Sequence, residues 1–201
     1  MILIKKIFHT YIFLVLLLTF ILGQSNQRGL FTDPRDGQMY NTIKFGEQVW
    51  FAQNLNYATE KGNWPAQGDS AGMQFGRFYN WAAAKEAIPA GWHLPSKQEF
   101  EILAATLGVA DLPNQDDLYP LLIEGGISEF NVQLTGSHNQ AYGRARGRTA
   151  EFWGSEEGWA SRIIPFQENP WRLSVRAPNY VTISQAADSK FGFNVRCVKD
   201  N

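Results

Sequence analysis

Hydrophobic positions fall into clear helical spacing at Phe100, Leu103, Ala104 and Leu107, which marks one buried face of an amphipathic helix. Ser96 followed by Glu99 forms a capping box that satisfies the first orphan amides. Pro95 holds Leu94 extended, so the helix is predicted to start at Ser96, and Gly108 supplies a left-handed end. The turn before it, Gly91-Trp92-His93-Leu94-Pro95, is rigid and aromatic. Trp92, Pro95, Ser96 and Glu99 are therefore predicted as structural residues on which the rest packs. A shorter helix is predicted over Trp81–Ala87, capped by Asn80 and ended where Ile88 meets Pro89.

Strand signals surround these helices. Residues 38–45 and 48–53 are rich in β-branched and aromatic side chains and flank Gly46-Glu47, predicting a hairpin with Ile43 and Trp50 turned to the core. Asp33-Pro34-Arg35-Asp36-Gly37 is a turn cluster ahead of it. Residues 56–76, which include Trp64, read as a long irregular loop. Short strand-like runs follow at 131–134, 149–153, 159–164, 172–176, 180–184 and 191–199, separated by Gly, Pro and Asn. In the last run Phe191, Phe193, Val195 and Cys197 alternate, predicting a core strand with one face buried. The pattern at Leu118-Tyr119-Pro120-Leu121-Leu122 decides between no two states. A hairpin, two helices and a strand-and-loop second half describe an α+β domain.

The first residues read differently. Lys5 and Lys6 precede an apolar run over 7–22 and a Gly23-Gln24-Ser25 segment, the pattern of a secretory signal peptide over 1–24. The run approaches bilayer-spanning length, so an uncleaved anchor is the alternative. No cysteine ends the segment, which disfavours a lipid anchor. Residues 25–32 are polar and aperiodic and are expected to form a flexible leader, with one domain over 33–201. Losing Lys5 and Lys6 takes the formal charge from −1 to −3, which offers no general footprint for nucleic acid. An aromatic content of 14% with 18 glycines suits a turn-rich fold built around rings. Cys197 is the single cysteine and cannot form an intrachain bridge.

Four separated stretches carry a resemblance. Residues 36–40 and 46–55, Gly76-Arg77-Phe78-Tyr79-Asn80-Trp81-Ala82-Ala83-Ala84, the Gly91-Trp92-His93-Leu94-Pro95-Ser96 turn, and Gly192-Phe193-Asn194-Val195-Arg196-Cys197-Val198-Lys199-Asp200 resemble the Fibrobacter succinogenes major paralogous domain family. The resemblance implies an extracytoplasmic domain of bacterial surface or secreted proteins, without an established activity. Members often carry a cysteine where this chain has Ile88, so the implied bridge to Cys197 is replaced here by apolar packing. The Leu94-Pro95-Ser96 pattern and the closing strand are also similar to the formylglycine-generating-enzyme branch of the C-type-lectin-like fold. That likeness implies two helices flanking a small twisted, mainly antiparallel sheet with long loops, and paired N- and C-terminal strands. Formylglycine-generating chemistry needs two copper-holding cysteines, so that activity is not expected to carry over.

Candidate chemistry is sparse. His93 reads as a packed turn residue and His138 as part of a polar loop, and neither belongs to a nucleophile triad. Glu168-Asn169-Pro170-Trp171 has lectin-type calcium ligands in the wrong order. The pairs Asp116-Asp117 and Glu156-Glu157 place neighbours on opposite sides of an extended chain. Gly143-Arg144-Ala145-Arg146-Gly147-Arg148 is the densest charge pattern; in an extended segment Arg144, Arg146 and Arg148 would share one face and could hold an anionic glycan or carboxylate. Trp64, Trp159 and Trp171 lie near turns, where an exposed ring can stack on a sugar or anchor a protein. The expected function is a secreted or cell-surface, non-catalytic domain that recognises a polysaccharide or a surface protein through its loop face. The alternatives are a carboxylate-dependent extracytoplasmic hydrolase using Glu156 or Glu157, and a structural surface protein. No cofactor, metal, nucleic-acid partner or lasting membrane span is expected.

Overall fold

Local signals build the helices as expected. In the computed structural model, which describes residues 27–66, 75–109, 117–139, 142–157, 169–186 and 188–201, α1 spans Trp81–Ala87 and α2 spans Lys97–Thr106. The Asn80 side chain accepts from the Ala83 amide, and Ile88 ends α1 in an extended conformation. Ser96 and Glu99 form the full capping box of α2. A third, one-turn helix, α3, covers Tyr119–Leu122.

The strands dominate. β1 (Arg28–Thr32), β2 (Met39–Phe45), β3 (Gln48–Phe51), β12 (Val198–Lys199) and β6 (Trp92–His93) form one sheet in the order β1-β2-β3-β12-β6. β9 (Thr149–Glu157), β10 (Pro170–Arg176) and β11 (Tyr180–Gln185) form a second antiparallel sheet. Two ribbons, β4 (Asn63–Pro65) with β5 (Arg77–Tyr79) and β7 (Ser137–Asn139) with β8 (Tyr142–Arg144), complete the set among the described residues. The domain is thus mainly antiparallel β with few helices. The β2–β3 hairpin turns at Gly46, whose φ of +58° suits the first position of a two-residue turn. Ile43 faces Trp50 across it, and both are buried.

Two expectations change. Residues 28–32 are not a loose leader but β1, the edge strand of the main sheet, in register with β2 from Arg28↔Ile43 to Thr32↔Met39. The closing segment is not a strand with one buried face: Gly192, Asn194 and Arg196 are buried along with Phe193, Val195 and Cys197. Its amides and carbonyls pair in turn with His138, Tyr79, Glu151 and Trp153, Leu55 and Phe51. Regular strand pairing is confined to Val198–Lys199, because each earlier residue bonds a different segment. The segment is a spine between two apolar clusters. One holds Trp50, Phe100, Phe130 and Phe152, and the other holds Phe51, Tyr79, Trp81, Trp153 and Phe193.

Polar tethers fix the outer pieces to this spine. Arg35 bonds the buried Asp33 carboxylate at 2.7 Å and the Ala87 carbonyl at 2.7 Å, so the turn before β2 covers the C-terminal end of α1. Trp81 and Trp153 donate their indole N–H groups to the Gly154 and Tyr79 carbonyls. His93 bridges Glu99 and Asp200, each at 2.7 Å, joining the α2 cap to the end of the chain. Cys197 is buried in the second cluster, against which Ile88 packs, and burial pushes its thiol pKa well up. Among the described residues no helix is long and apolar enough to cross a membrane.

Candidate ligand-binding groove

The site is built by the loop after α3. Phe130 is fully buried against Trp50 and Phe45, and this anchor fixes the residues on either side of it. Glu129 and Asn131 take φ values of +59° and +54°, left-handed conformations that cost non-glycine residues about 1–3 kcal/mol each and cluster at functional sites. The loop is held in that form by local bonds: the Ser128 hydroxyl donates to the Leu121 carbonyl and accepts from the Phe130 amide. The Glu124 amide donates to the Val132 carbonyl, and the Val132 amide donates to the Leu122 carbonyl. Gly126 has no room for a side chain, since a Cβ there would lie 2.5 Å from the Pro120 carbonyl oxygen and 2.6 Å from that of Leu121.

Arg196 ties this loop to the main sheet. Its guanidinium donates to Asn54 Oδ1 (2.7 Å), the Phe51 carbonyl (3.2 Å), the Phe130 carbonyl (2.7 Å) and the Asn131 carbonyl (3.0 Å). All four acceptors are neutral. The cation lies 4.9 Å from the Phe130 ring centre, and burial pushes its pKa down to about 9, so it stays charged at neutral pH. One side chain thus sets the spacing between the sheet and the loop.

Between them lies a cleft of about 790 Å³. Asn41, Gln53 and Arg28 line it from the sheet side, and Glu124, Glu129, Asn131 and Gln133 from the loop, with Arg196 beneath. Arg28 and Glu129 span it with two hydrogen bonds, one of 2.6 Å from Nε to Oε2. Gln53 Oε1 accepts from the Asn41 amide at 2.8 Å, which fixes that side chain and turns its amide nitrogen to other use. A second depression of about 370 Å³ is lined by Phe75, Ile123, Leu134 and Arg146, and it shares Glu124 and Gln133 with the first. Chemically the walls offer amides, carboxylates and a guanidinium, which can both donate to and accept from a polyhydroxylated ligand. Among the described residues no group of three or more His, Cys, Asp or Glu is placed to hold a metal ion.

The residues singled out in the sequence are dispersed. Arg146 lines the second depression. Arg148 is exposed in the turn after it, and Arg144 ends β8, its side chain lying outside the described part. The three do not share an extended face, because Ala145 and Gly147 take φ values of +62° and +75° and turn the chain between them. Trp64 is half-buried in β4 and stacks on His138 with ring centres 4.2 Å apart. Trp171 is half-buried in β10, with Lys97 Nζ 5.3 Å from its ring centre. Trp159 and the predicted strand around it lie outside the described residues. Glu156, exposed on β9, does not line the groove. Sequence reasoning missed Arg28, Asn41, Gln53, Glu124, Glu129, Asn131, Gln133 and Arg196. Only Arg196 left a signal, as the one charged residue in the buried run from Gly192 to Val198.

The fold and groove define a mainly β domain with a polar surface site. The Fibrobacter succinogenes major domain profile matches residues 43–199, and the chain belongs to that family. No curated protein and no solved structure matches it.

Proposed function

We propose that this domain is an extracytoplasmic recognition module that binds a glycan in the groove between β1–β3 and the 123–133 loop and does no chemistry on it. The observation that carries this reading is the lining: four amide side chains and two carboxylates converge on one cleft from two walls held at fixed spacing by Arg196. Sugar hydroxyls are both donors and acceptors, and such sets of amides and carboxylates pair with them in both senses. The signal-like pattern of residues 1–24 supports an address outside the cytoplasm. Pairing of β12 with β3 joins the chain's end to its N-terminal hairpin, as a C-type-lectin-like scaffold would require. The test is retention of the purified chain on a glycan array and on insoluble polysaccharides, with and without calcium. Specific retention, lost in Asn131→Ala and Gln53→Ala, supports the reading; equal retention of these variants refutes it.

Glu124 and Glu129 in one cleft favour a second reading, a carboxylate-dependent glycoside hydrolase. Release of reducing ends from a bound glycan, abolished by Glu124→Gln, would establish it. Against it stands the Arg28 guanidinium, which already occupies both Glu129 oxygens.

A further inference from the structure

We infer that the groove takes a linear oligosaccharide running across both depressions, rather than a single sugar seated in the larger one. This rests on the glycan reading above and goes beyond it by naming the length and path of the ligand. The two depressions are open to solvent and share Glu124 and Gln133 as a common wall. Gln133 Nε2 donates to Glu124 Oε1 at 3.3 Å, so the saddle between the two depressions carries an exposed, hydrogen-bonded pair of side chains. Their volumes, about 790 and 370 Å³, together exceed the roughly 300–1,000 Å³ that a single small-molecule site occupies.

The same buried network supports both halves. Arg196 holds Asn54 Oδ1, and Asn54 Nδ2 donates to the Phe75 carbonyl at 2.9 Å. Phe75 lines the second half. The halves also differ in chemistry in the way one sugar chain does. The first is polar, with Asn131 and Gln53 available to hydroxyl groups; the second is lined by Phe75, Ile123, Val132 and Leu134, with Arg146 beside them. The C–H face of a pyranose can lie on the Phe75 ring while its hydroxyls reach Arg146 and the saddle.

The test is a calorimetric titration of the full chain with size ladders of one to six units in the β-1,4-glucose, α-1,4-glucose and β-1,4-N-acetylglucosamine series. In at least one series affinity rises with length, and the hexamer binds about tenfold or more tighter than the dimer. Phe75→Ala and Arg146→Ala each shrink that ratio, the aromatic change by about two- to tenfold. Should Phe75→Ala fail to fold, the exposed Arg146→Ala carries the test, and Arg148→Ala, outside the groove, keeps the full ratio. A series that binds with no dependence on length overturns this inference and leaves the glycan reading standing. Binding of no ladder, or capture of extended peptides in its place, overturns both.

Discussion

Replacing Arg196 by methionine removes the peg between sheet and loop, and two large effects oppose each other. The substitution relieves the burial of a cation, an effect of several kcal/mol for a group taken out of water. It also orphans four acceptors: Asn54 Oδ1 and the carbonyls of Phe51, Phe130 and Asn131. Each buried orphan costs about 1–3 kcal/mol, so four of them cost roughly 4–12 kcal/mol and outweigh the relief. The left-handed Glu129 and Asn131 lose their support at the same time. The difference between the two effects leaves an expected net loss on the order of a few kcal/mol. Arg196→Lys keeps the charge but brings at most three donors without the planar fork, and should lose somewhat less. Urea unfolding monitored by tryptophan fluorescence measures the loss, and amide exchange at Glu124 and Val132 reports whether the loop opens first. Wild-type stability and unchanged exchange in Arg196→Met would reduce Arg196 to a space-filling side chain.

Three further outcomes follow from the same geometry. Burial pushes the His93 pKa down, but hydrogen bonds with Glu99 and Asp200 and their charges outweigh it, leaving the pKa above 6.5. His93 therefore stabilises most fully below pH 6.5 and loses that contribution as pH rises through its folded pKa. Burial alone lowers the His138 pKa, so its contribution has the opposite sign: it is present above pH 6.5 and lost as pH falls through its folded pKa. Denaturation midpoints between pH 5 and 8 should fall less with pH in His93→Gln and more steeply in His138→Phe; unchanged slopes contradict both assignments. Arg35→Ala leaves the buried Asp33 carboxylate without its cation and frees the Ala87 and Ile88 carbonyls, which should cost about 3 kcal/mol by thermal melting. A loss below about 1 kcal/mol would put the pair with ordinary surface bridges. Gly126→Ala forces a Cβ against two backbone carbonyls and should cost about 1–3 kcal/mol as overpacking, with loss of glycan retention; an intact melting curve contradicts it.

Helices α1 and α2 were legible because their determinants are local. Asn80, Ser96 and Glu99 cap within three residues, and Pro89 and Pro95 restrict their immediate neighbours. The β2–β3 hairpin was legible for the same reason, through Gly46 and alternating apolar positions. β1 was hidden because it is an edge strand whose residues are mostly exposed, so burial leaves no alternation to read. In the closing segment, alternation suggested one solvent face, yet Asn194 and Arg196 are satisfied by Thr135, Arg77, Asn54 and Phe130. Those partners lie far away in sequence. The groove was illegible for that reason too: β1, the β2–β3 hairpin, the 123–133 loop and Arg196 contribute to it from four separate stretches. The single extended face expected for the three arginines was not legible as a turn: Ala145 and Gly147 take positive φ and bend the chain after β8, which leaves Arg146 at the second depression and Arg148 exposed.

The proposed glycan site in the groove can be tested on its own. Calorimetric titration of the wild-type chain and of Asn131→Ala with the β-1,4-glucose, α-1,4-glucose and β-1,4-N-acetylglucosamine hexamers tests it most directly. Saturable binding of at least one hexamer by the wild type is expected, with a loss of about tenfold in the variant, the effect of about 1.4 kcal/mol. Equal affinity in the two proteins, or no heat with any of the three, would contradict it.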